Sequence, residues 1–270
     1  MHILGVPFRV KYLPQTICDW WRNAALMMRR ERPEVGYSFV YFSYKPDFDY
    51  LYLSMQSLKN NVSPELIDSV YLFVDQKAPF DESQLLQLQA LFPQLRIRKI
   101  YGFSWASTET TLAELNAFSE VAAEIDGCHY LVKVDSDILI TSDQKLKRLR
   151  RSACDTVADA HHLDYQYGQG GFYLIRAAVA RRAFKDVSKE TVKLFEARCG
   201  SIGEDKVISA MLAEAGCPFH FTRLMLYPEE YKRINRLNKL LRWEFCALHH
   251  VNDKVAMADF SDRFQLIGRE

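Results

Sequence analysis

Apolar residues in the first half of the chain occur in two alternating patterns: short runs rich in β-branched and aromatic residues, and longer segments with apolar residues at helical spacing. The first pattern is typical of buried strands and the second of amphipathic helices. The predicted order is strand 38–44, helix 49–60, strand 69–75, a helix that includes 85–91, strand 95–100 and helix 112–125. This alternation predicts a mainly parallel α/β sheet wrapped by helices, and its right-handed crossovers favour an open nucleotide-binding half-domain.

The next apolar run, Tyr130 to Val134, ends in two carboxylates, Asp135 and Asp137. Residues two apart in an extended strand point to the same side, so both carboxylates can face one site. Paired carboxylate oxygens suit a hard divalent cation such as Mg²⁺ or Mn²⁺, and ligands of open α/β sheets bind beyond the carboxyl ends of the strands. The alternative interpretation is a strand that ends in an Asp-rich turn without chemistry.

Three glycines, Gly168, Gly170 and Gly171, stand just before the apolar run 172–175. They indicate either a backbone that another group approaches closely or a tight turn into a strand.

Two further sequence segments contain candidate catalytic or metal-binding residues. Glu204 and Asp205 open an amphipathic helix, where acids are also expected for the helix dipole alone. Adjacent helical residues point about 100° apart, so only one of the two acids is expected to face a given site. His249 and His250 would point to opposite faces of a strand, one as a metal ligand and the other packed. Single histidines are more often structural, and His161–His162 is a second such pair.

Two predicted helices are strongly basic. One follows Ser142, a suitable N-cap, and its basic residues are expected to form a largely solvated face: Lys145, Lys147, Arg148, Arg150 and Arg151. The other, 229–245, is amphipathic, and its apolar stripe either packs on the core or contacts an anionic membrane surface or a lipid phosphate. Residues 17–30 also have helical character and either pack on the core or serve as an interaction arm.

Composition, charge and missing motifs limit the functions expected for this chain. The chain has 270 residues, 49% of them hydrophobic, and a formal net charge of +1, so it can form a sizeable core and gives no general reason to expect nucleic-acid binding. Six cysteines without a C-x-x-C pair or zinc spacing indicate reduced thiols in a cytoplasmic protein. Residues 1–36 show no secretory pattern, and no run approaches the roughly 18 apolar residues that span a bilayer. The sequence lacks G-x-G-x-x-G and P-loop motifs, so bound phosphates would be held by a metal and basic side chains.

With these blocks in this order, the chain resembles glycosyltransferases of the GT-A fold from about Ser38 to Lys254, most closely the fringe and β-galactosyltransferase type of inverting enzyme. Four blocks carry the resemblance: the D-x-D strand 130–137, the glycine-rich segment 168–175, the acidic pair 204–205 and the late histidine at 249 or 250. The resemblance implies an open, mainly parallel (mixed) sheet flanked by helices, with a nucleotide-binding N-terminal half and an acceptor-binding C-terminal half.

Two departures keep alternatives open. The aspartate triplet common in the fringe type is here Asp135-Ser136-Asp137. The region around His250 loosely resembles the H-x-x-G-x-x-K end of some retaining enzymes, with Asp253 in place of the glycine. The alternatives are therefore a retaining GT-A glycosyltransferase and a non-catalytic sugar-nucleotide or glycan-binding domain.

The resemblance implies metal-dependent transfer of a sugar from a nucleotide-diphosphate donor, most often a UDP-sugar, to a hydroxyl of a glycan or lipid-linked glycan. Asp137 would be the main ligand of Mn²⁺ (or Mg²⁺), and Asp135 would contact the ribose or share the metal through water. His250, in preference to His249, would add a nitrogen ligand, and a mixed N/O site suits Mn²⁺.

Asp205 would be the general base, with Glu204 as the fallback. The remaining implied substrate contacts are with the nucleotide base, at Asp75 and near Tyr44, and with a donor or acceptor sugar that approaches the backbone, at Gly170 and Gly171.

The expected organisation is one transferase domain, 37–260, preceded by a helical extension, 1–36, and followed by a C-terminal tail, 261–270. The expected location is the cytoplasm, with helix 229–245 as a candidate contact to the inner face of a membrane.

Overall fold

A computed structural model describes residues 2–3, 6–7, 10–28, 34–103, 107–161, 164–226, 245–249 and 256–260. The strands are β1 (His2–Ile3), β2 (Val6–Pro7), β3 (Tyr37–Ser43), β4 (Ile67–Asp75), β5 (Arg96–Ile100), β6 (Tyr130–Val134), β7 (Leu139–Ile140), β8 (Thr156–His161), β9 (Asp164–Arg176), β10 (His220–Phe221), β11 (Met225–Leu226) and β12 (Ala247–Leu248). The α-helices are α1 (Leu13–Met27), α2 (Phe48–Asn61), α3 (Glu82–Leu91), α4 (Thr108–Glu124), α5 (Gln144–Leu149), α6 (Ala177–Ala183), α7 (Lys189–Cys199) and α8 (Glu204–Glu214).

Seven of the described strands form the central sheet, in the order β10-β8-β9-β6-β3-β4-β5. Strands β6, β3, β4 and β5 are parallel, as are β10 and β8, whereas β9 is antiparallel to both of its neighbours. The predicted open, mixed and mainly parallel sheet is therefore confirmed. Because β3, β4 and β6 are parallel, their carboxyl ends meet at one edge, where the candidate site lies.

The sheet separates two apolar cores. On one face, residues such as Phe39 and Val132 pack with α2, α3 and α5, and on the other, residues such as Val40 and Leu131 pack with α4, α6, α7 and α8. Successive strand residues point to opposite faces, so strands covered on both sides have nearly continuous apolar sequences.

The predicted helices of the first half are present, with two starts displaced by a full turn. Helix α1 begins at Leu13 rather than at 17. Helix α4 begins at Thr108 rather than at 112. The reason is Ser107, whose Oγ accepts a hydrogen bond from the Thr110 amide at 3.1 Å and so satisfies an amide of the first turn.

A small three-stranded sheet, β11-β12-β7, connects distant parts of the chain. Strand β12 runs antiparallel to β7, with Leu248 opposite Leu139, and parallel to β11. This pairing brings residues 245–249 to the loop that follows β6.

The glycine-rich segment lies inside a strand rather than in a turn before one. Strand β9 runs from Asp164 to Arg176 and contains Gly168, Gly170 and Gly171. The close-approach interpretation of these glycines is therefore the correct one, and their neighbours are described below. Residues 217–224 contain the two-residue strand β10.

Two basic side chains of α5, predicted to be solvated, are buried instead. Lys145 donates from Nζ to Thr222 Oγ1 at 2.8 Å, and Arg150 donates from Nε to the Val35 carbonyl at 2.8 Å. Their long aliphatic stems cross apolar surroundings while the charged ends meet buried acceptors. The prediction failed because those acceptors belong to other parts of the chain.

Helix α1 packs against the β10-β8-β9 side of the sheet. Thr16 Oγ1 lies 3.2 Å from the Tyr165 hydroxyl, and Asp19 Oδ1 lies 3.9 Å from His220 Nδ1. The helix predicted at 229–245 and the tail 261–270 lie outside the described residues apart from Phe245, so the domain boundaries stay predictions. Within the described part of the chain, no helix has the length and apolar character to cross a bilayer.

Candidate active site

Three potential metal ligands meet just beyond β6. One ligand atom each from Asp135, Asp137 and His249 lie within 4.8 Å of one another, and Asp137 Oδ1 is 4.0 Å from His249 Nε2. His249 is buried and the two aspartates are partly exposed. The structure thus brings together both predicted acids and one of the two predicted histidines. His250, the preferred histidine, lies outside the described residues, so that preference stays untested.

Backbone hydrogen bonds hold these ligands in place. The Asp135 amide donates to the Gly171 carbonyl at 3.0 Å, and the Ile138 amide donates to the Asp135 carbonyl at 3.2 Å, closing the turn after β6. The His249 amide donates to the Leu226 carbonyl at 2.9 Å. The ligands therefore come from two distant segments whose backbones are fixed by pairing.

The donor set fits a divalent cation of the Mn²⁺ or Mg²⁺ kind. Ligand atoms roughly 2.1 Å from such an ion are about 3 to 4.2 Å apart, so the 4.0 Å separation of Asp137 and His249 needs little adjustment. Two carboxylates and an imidazole form a mixed O/N donor set for a divalent cation. Gly171 leaves room for the imidazole, because a Cβ there would lie 2.5 Å from His249 Nε2.

A cleft of about 540 Å³ opens beside these ligands. The predicted nucleotide contacts Tyr44 and Asp75 line this cleft together with Asp135, Asp137 and Glu204. Other lining residues, which sequence reasoning missed, are Phe42, Lys77, Phe103, Thr110, Glu114 and Lys133. The cleft thus joins a possible cation site to aromatic and basic groups at the carboxyl ends of β3 and β4.

Lys133 is the centre of a buried charge cluster next to the cation site. Its Nζ lies 2.9 Å from Asp135 Oδ1 and 3.4 Å from Glu114 Oε1, and it lies 5.9 Å from the centre of the Tyr173 ring. Burial disfavours the charged lysine, but Asp135 and Glu114 hold its pKa well above the usual value. Burial raises the pKa of Glu114 to about 8, against the lowering effect of Lys133. Lys133 therefore stays charged and fixes one oxygen of Asp135.

Asp205 packs against the glycine-rich strand. Its Oδ2 accepts a hydrogen bond from the Gly170 amide at 3.0 Å and lies 3.9 Å from His161 Nε2. Burial raises the pKa of Asp205 to about 7, with Glu204 adding to the rise and Lys133 opposing it. A carboxylate with a pKa near 7 can accept a proton at neutral pH and release it afterwards. Of the adjacent acids, Glu204 lines the cleft and Asp205 contacts the strand.

Gly170 and Gly171 leave space for protein side chains. A Cβ on Gly170 would overlap the carboxylate of Asp205, and a Cβ on Gly171 would overlap the ring of His249. The groups that approach these two positions are therefore the candidate base and a candidate metal ligand. The predicted approach of a sugar to the backbone at Gly170 and Gly171 stays a prediction.

Solved structures with a similar architecture are glycosyltransferases. The galactosyltransferase LgtC, solved with donor and acceptor sugar analogs, matches with a TM-score of 0.57 and 14% identity over 86% of this chain and 95% of LgtC. The glycosyltransferase GlyE of Streptococcus pneumoniae matches with a TM-score of 0.55 and 12% identity over 86% of this chain and 62% of GlyE. The bifunctional glycosyltransferase WbbM matches with a TM-score of 0.54 and 11% identity over 82% of this chain and 46% of WbbM.

This chain has a GT-A glycosyltransferase fold. No protein-family model matches the sequence, and no curated protein matches it by sequence. The GT-A fold predicted from the resemblance is confirmed, whereas the fringe type and inversion stay predictions.

Lys133 and Glu114 were not identified from the sequence as residues of the site. Lys133 is a single charge in the apolar run of β6, and only the packing of α4 on the sheet shows its partner. Glu114 carried a signal, because it falls on the buried side of α4 with Thr111, Leu115 and Phe118, at helical spacing. A carboxylate within an apolar stripe requires a buried partner, and the lysine of β6 was the available one.

Proposed function

We propose that this chain is a metal-dependent glycosyltransferase that moves a sugar from a nucleotide-diphosphate donor to a hydroxyl of a glycan or lipid-linked glycan. The observation that carries the proposal is the meeting of Asp135, Asp137 and His249 at the mouth of the cleft in a GT-A fold. That arrangement suits a donor whose diphosphate meets a cation while its nucleoside occupies the cleft near Tyr44 and Asp75. We propose UDP as the nucleotide and Mn²⁺ as the cation.

Asp137 and His249 would hold the cation, with Asp135 contributing through the oxygen that Lys133 does not engage. The bound cation would act as a Lewis acid that neutralises charge on the diphosphate. Burial raises the pKa of Asp135 to about 6, Lys133 opposes this rise, and its contact at 2.9 Å orients the carboxylate. The ribose and the nucleotide base would lie against Tyr44, Asp75 and the aromatic residues of the cleft.

The chain's own residues supply the proton transfer. Asp205 takes the proton of the acceptor hydroxyl as that oxygen bonds to the anomeric carbon, and the bond from that carbon to the diphosphate oxygen breaks. The leaving group is the nucleoside diphosphate. Attack from the face opposite the leaving group inverts the anomeric centre. Glu204, which lines the cleft, is the second candidate for the base.

The first experiment is thermal unfolding with UDP, GDP and CMP, each with and without Mn²⁺. A ligand at roughly 100 times its Kd adds about 2.7 kcal/mol of stability. We expect a Mn²⁺-dependent shift with UDP that disappears in Asp137→Ala and persists in Glu82→Ala, an exposed acid at the start of α3. If no nucleotide stabilises the protein with Mn²⁺, the donor site as proposed is wrong.

The second experiment follows the anomeric proton of the first-formed product by NMR. Inversion is expected. Retention would move the assignment to the alternative class of GT-A enzyme, and nucleotide binding without turnover on any acceptor would favour a non-catalytic binding domain.

A further inference from the structure

The described part of the chain carries a concentration of exposed apolar side chains on and beside α1, away from the cleft. These side chains and their exposed fractions are Val10 77%, Leu13 45%, Ile17 41%, Trp21 74% and Met28 82%. The other large apolar residues that are exposed, such as Leu86 and Leu194, lie singly in distant elements. Single exposed apolar residues are ordinary, whereas a contiguous group marks an interaction surface. We call these five residues the α1 stripe.

The α1 stripe occupies one side of the helix. At 100° per residue, Leu13, Ile17 and Trp21 fall within about 80° of one another, and Asp19 points to the opposite side. Thr16 and Asp19 are buried, against Tyr165 and His220 of the central sheet. Helix α1 therefore meets the central sheet through Thr16 and Asp19 and presents an apolar stripe to solvent, whereas an ordinary surface helix presents its polar side to solvent.

The segment of sequence that contains the stripe is basic. Residues 9–32 contain six basic and two acidic residues, a net charge of +4, whereas the whole chain has a net charge of +1. Among the described residues 10–28, Asp19 is only 2% exposed and faces the protein, whereas Lys11 and Arg22 are exposed. Arg22 Nη1 also lies 3.5 Å from Asp19 Oδ1. The exposed charges that the structure describes beside the stripe are thus basic and complementary to negative charge.

We propose that the α1 stripe binds the surface of an anionic lipid bilayer. An interfacial helix combines an apolar stripe with basic residues, and a tryptophan such as Trp21 suits the boundary between headgroups and acyl chains. The apolar side chains enter the bilayer while the basic residues meet lipid phosphates. The polar side of α1 is already packed on the protein, so the helix can bind without leaving its place in the fold. This contact goes beyond the proposed transfer reaction and does not depend on it.

Vesicle flotation tests the proposal with the full-length chain. The vesicles are pure phosphatidylcholine or an equimolar mixture of phosphatidylcholine and phosphatidylglycerol. The variant Trp21→Glu/Met28→Glu replaces two strongly exposed side chains of the stripe, its tryptophan and its methionine. The matched control, Leu86→Glu/Leu194→Glu, introduces the same charge at exposed apolar positions of α3 and α7. Thermal midpoints verify that both variants are folded.

We expect the wild type and the control to float with the anionic vesicles and to stay behind with pure phosphatidylcholine. The stripe variant should lose at least about tenfold in vesicle affinity. No flotation of the wild type, or equal flotation of the two variants, would overturn the proposal. Sedimentation provides a further check: a wild-type dimer that the stripe variant turns into a monomer would show that a second copy covers α1. None of these readouts requires turnover, so failure here leaves the proposed function intact.

Discussion

The site contains two groups of acids with similar chemistry and different surroundings. Asp135 and Asp137 line the cleft, and their ligand atoms lie within 4.8 Å of one another and of a ligand atom of the buried His249. Glu114 forms the second group and is buried against Lys133. The first group is arranged to bind a cation from solution. In the second group, the cation beside the acid is the ammonium group of Lys133.

Strand β6 contributes residues to both the cation site and the buried charge cluster. Lys133 and Asp135 lie on the same side of β6, because residues two apart in a strand point the same way. Lys133 lies 3.4 Å from Glu114 and also engages one oxygen of Asp135 at 2.9 Å. Asp135 thereby belongs to both groups, and the buried pair sets the orientation of a candidate ligand. The following predictions separate the two groups.

Replacing the buried cation should have the largest effect. Lys133→Met leaves Glu114 and Asp135 without their partner, and breaking a buried ion pair from one side costs about 3–5 kcal/mol. Urea unfolding measures this loss. Lys133→Met/Asp135→Asn should recover part of the stability, because the carboxylate left without its partner is also removed, and Lys99→Met, an exposed lysine on β5, serves as the control. A loss below about 1 kcal/mol for Lys133→Met would show that the buried pair is not required for folding.

Replacing the candidate base should separate chemistry from binding. Asp205→Asn keeps an oxygen for the Gly170 amide but cannot accept a proton, so transfer should fall by roughly 10²-fold or more. The Mn²⁺-dependent stabilisation by nucleotide should persist. In the wild type, the rate should rise with pH through about 7, as Asp205 loses its proton. If Glu204→Gln abolishes transfer and Asp205→Asn does not, the base is Glu204.

Part of this site could be predicted from sequence because element order fixes it: Asp135 and Asp137 follow a buried strand, and parallel strands had to end at one edge of the sheet. The reason given for the pairing of the two carboxylates was wrong, because β6 ends at Val134 and a turn, rather than strand alternation, brings Asp135 and Asp137 together. The position of His249 beside the aspartates could not be predicted from sequence alone. It depends on β12 pairing with β7, a contact between distant segments that periodicity does not encode.

The buried groups were harder to predict for a related reason. Lys145 and Arg150 had the sequence character of a solvated helix face, yet their acceptors lie on other segments. The role of Gly170 also depends on Asp205, which approaches from a helix much later in the chain. Sequence pattern shows that a glycine accommodates something, and the fold shows what that is.

The pKa of Asp205 makes a smaller prediction about stability. Its folded-state pKa of about 7 lies above the unfolded value of 3.8, so the protonated form is favoured in the folded protein. Stability is then lost as pH rises from about 4 to about 7, because the unfolded chain ionises first. Without metal, the stability of Asp205→Asn relative to wild type should increase by about 2 kcal/mol between pH 5 and pH 8.

Denaturant unfolding in EDTA at the two pH values measures this change. Asp143→Asn is the control, because the hydrogen bonds from Lys147 and Ser63 lower the pKa of Asp143 despite its partial burial. Its contribution changes only in more acidic solution, so its effect should be the same at pH 5 and pH 8. A flat response for Asp205→Asn would contradict the raised pKa.

The smallest effect is expected from replacing two adjacent glycines, one beside the candidate metal ligand and one beside the candidate base. Gly171→Ala places a Cβ 2.5 Å from His249 Nε2, so the imidazole must move and Mn²⁺ affinity should fall by roughly tenfold. Gly170→Ala instead displaces Asp205, which should lower the transfer rate at saturating Mn²⁺ and leave Mn²⁺ affinity nearly unchanged. Calorimetric Mn²⁺ titration and initial rates on both variants test the pair. Because the two glycines are adjacent on β9, each variant is the control for the other, and identical losses in both would mean that the cation site and the base are not separable.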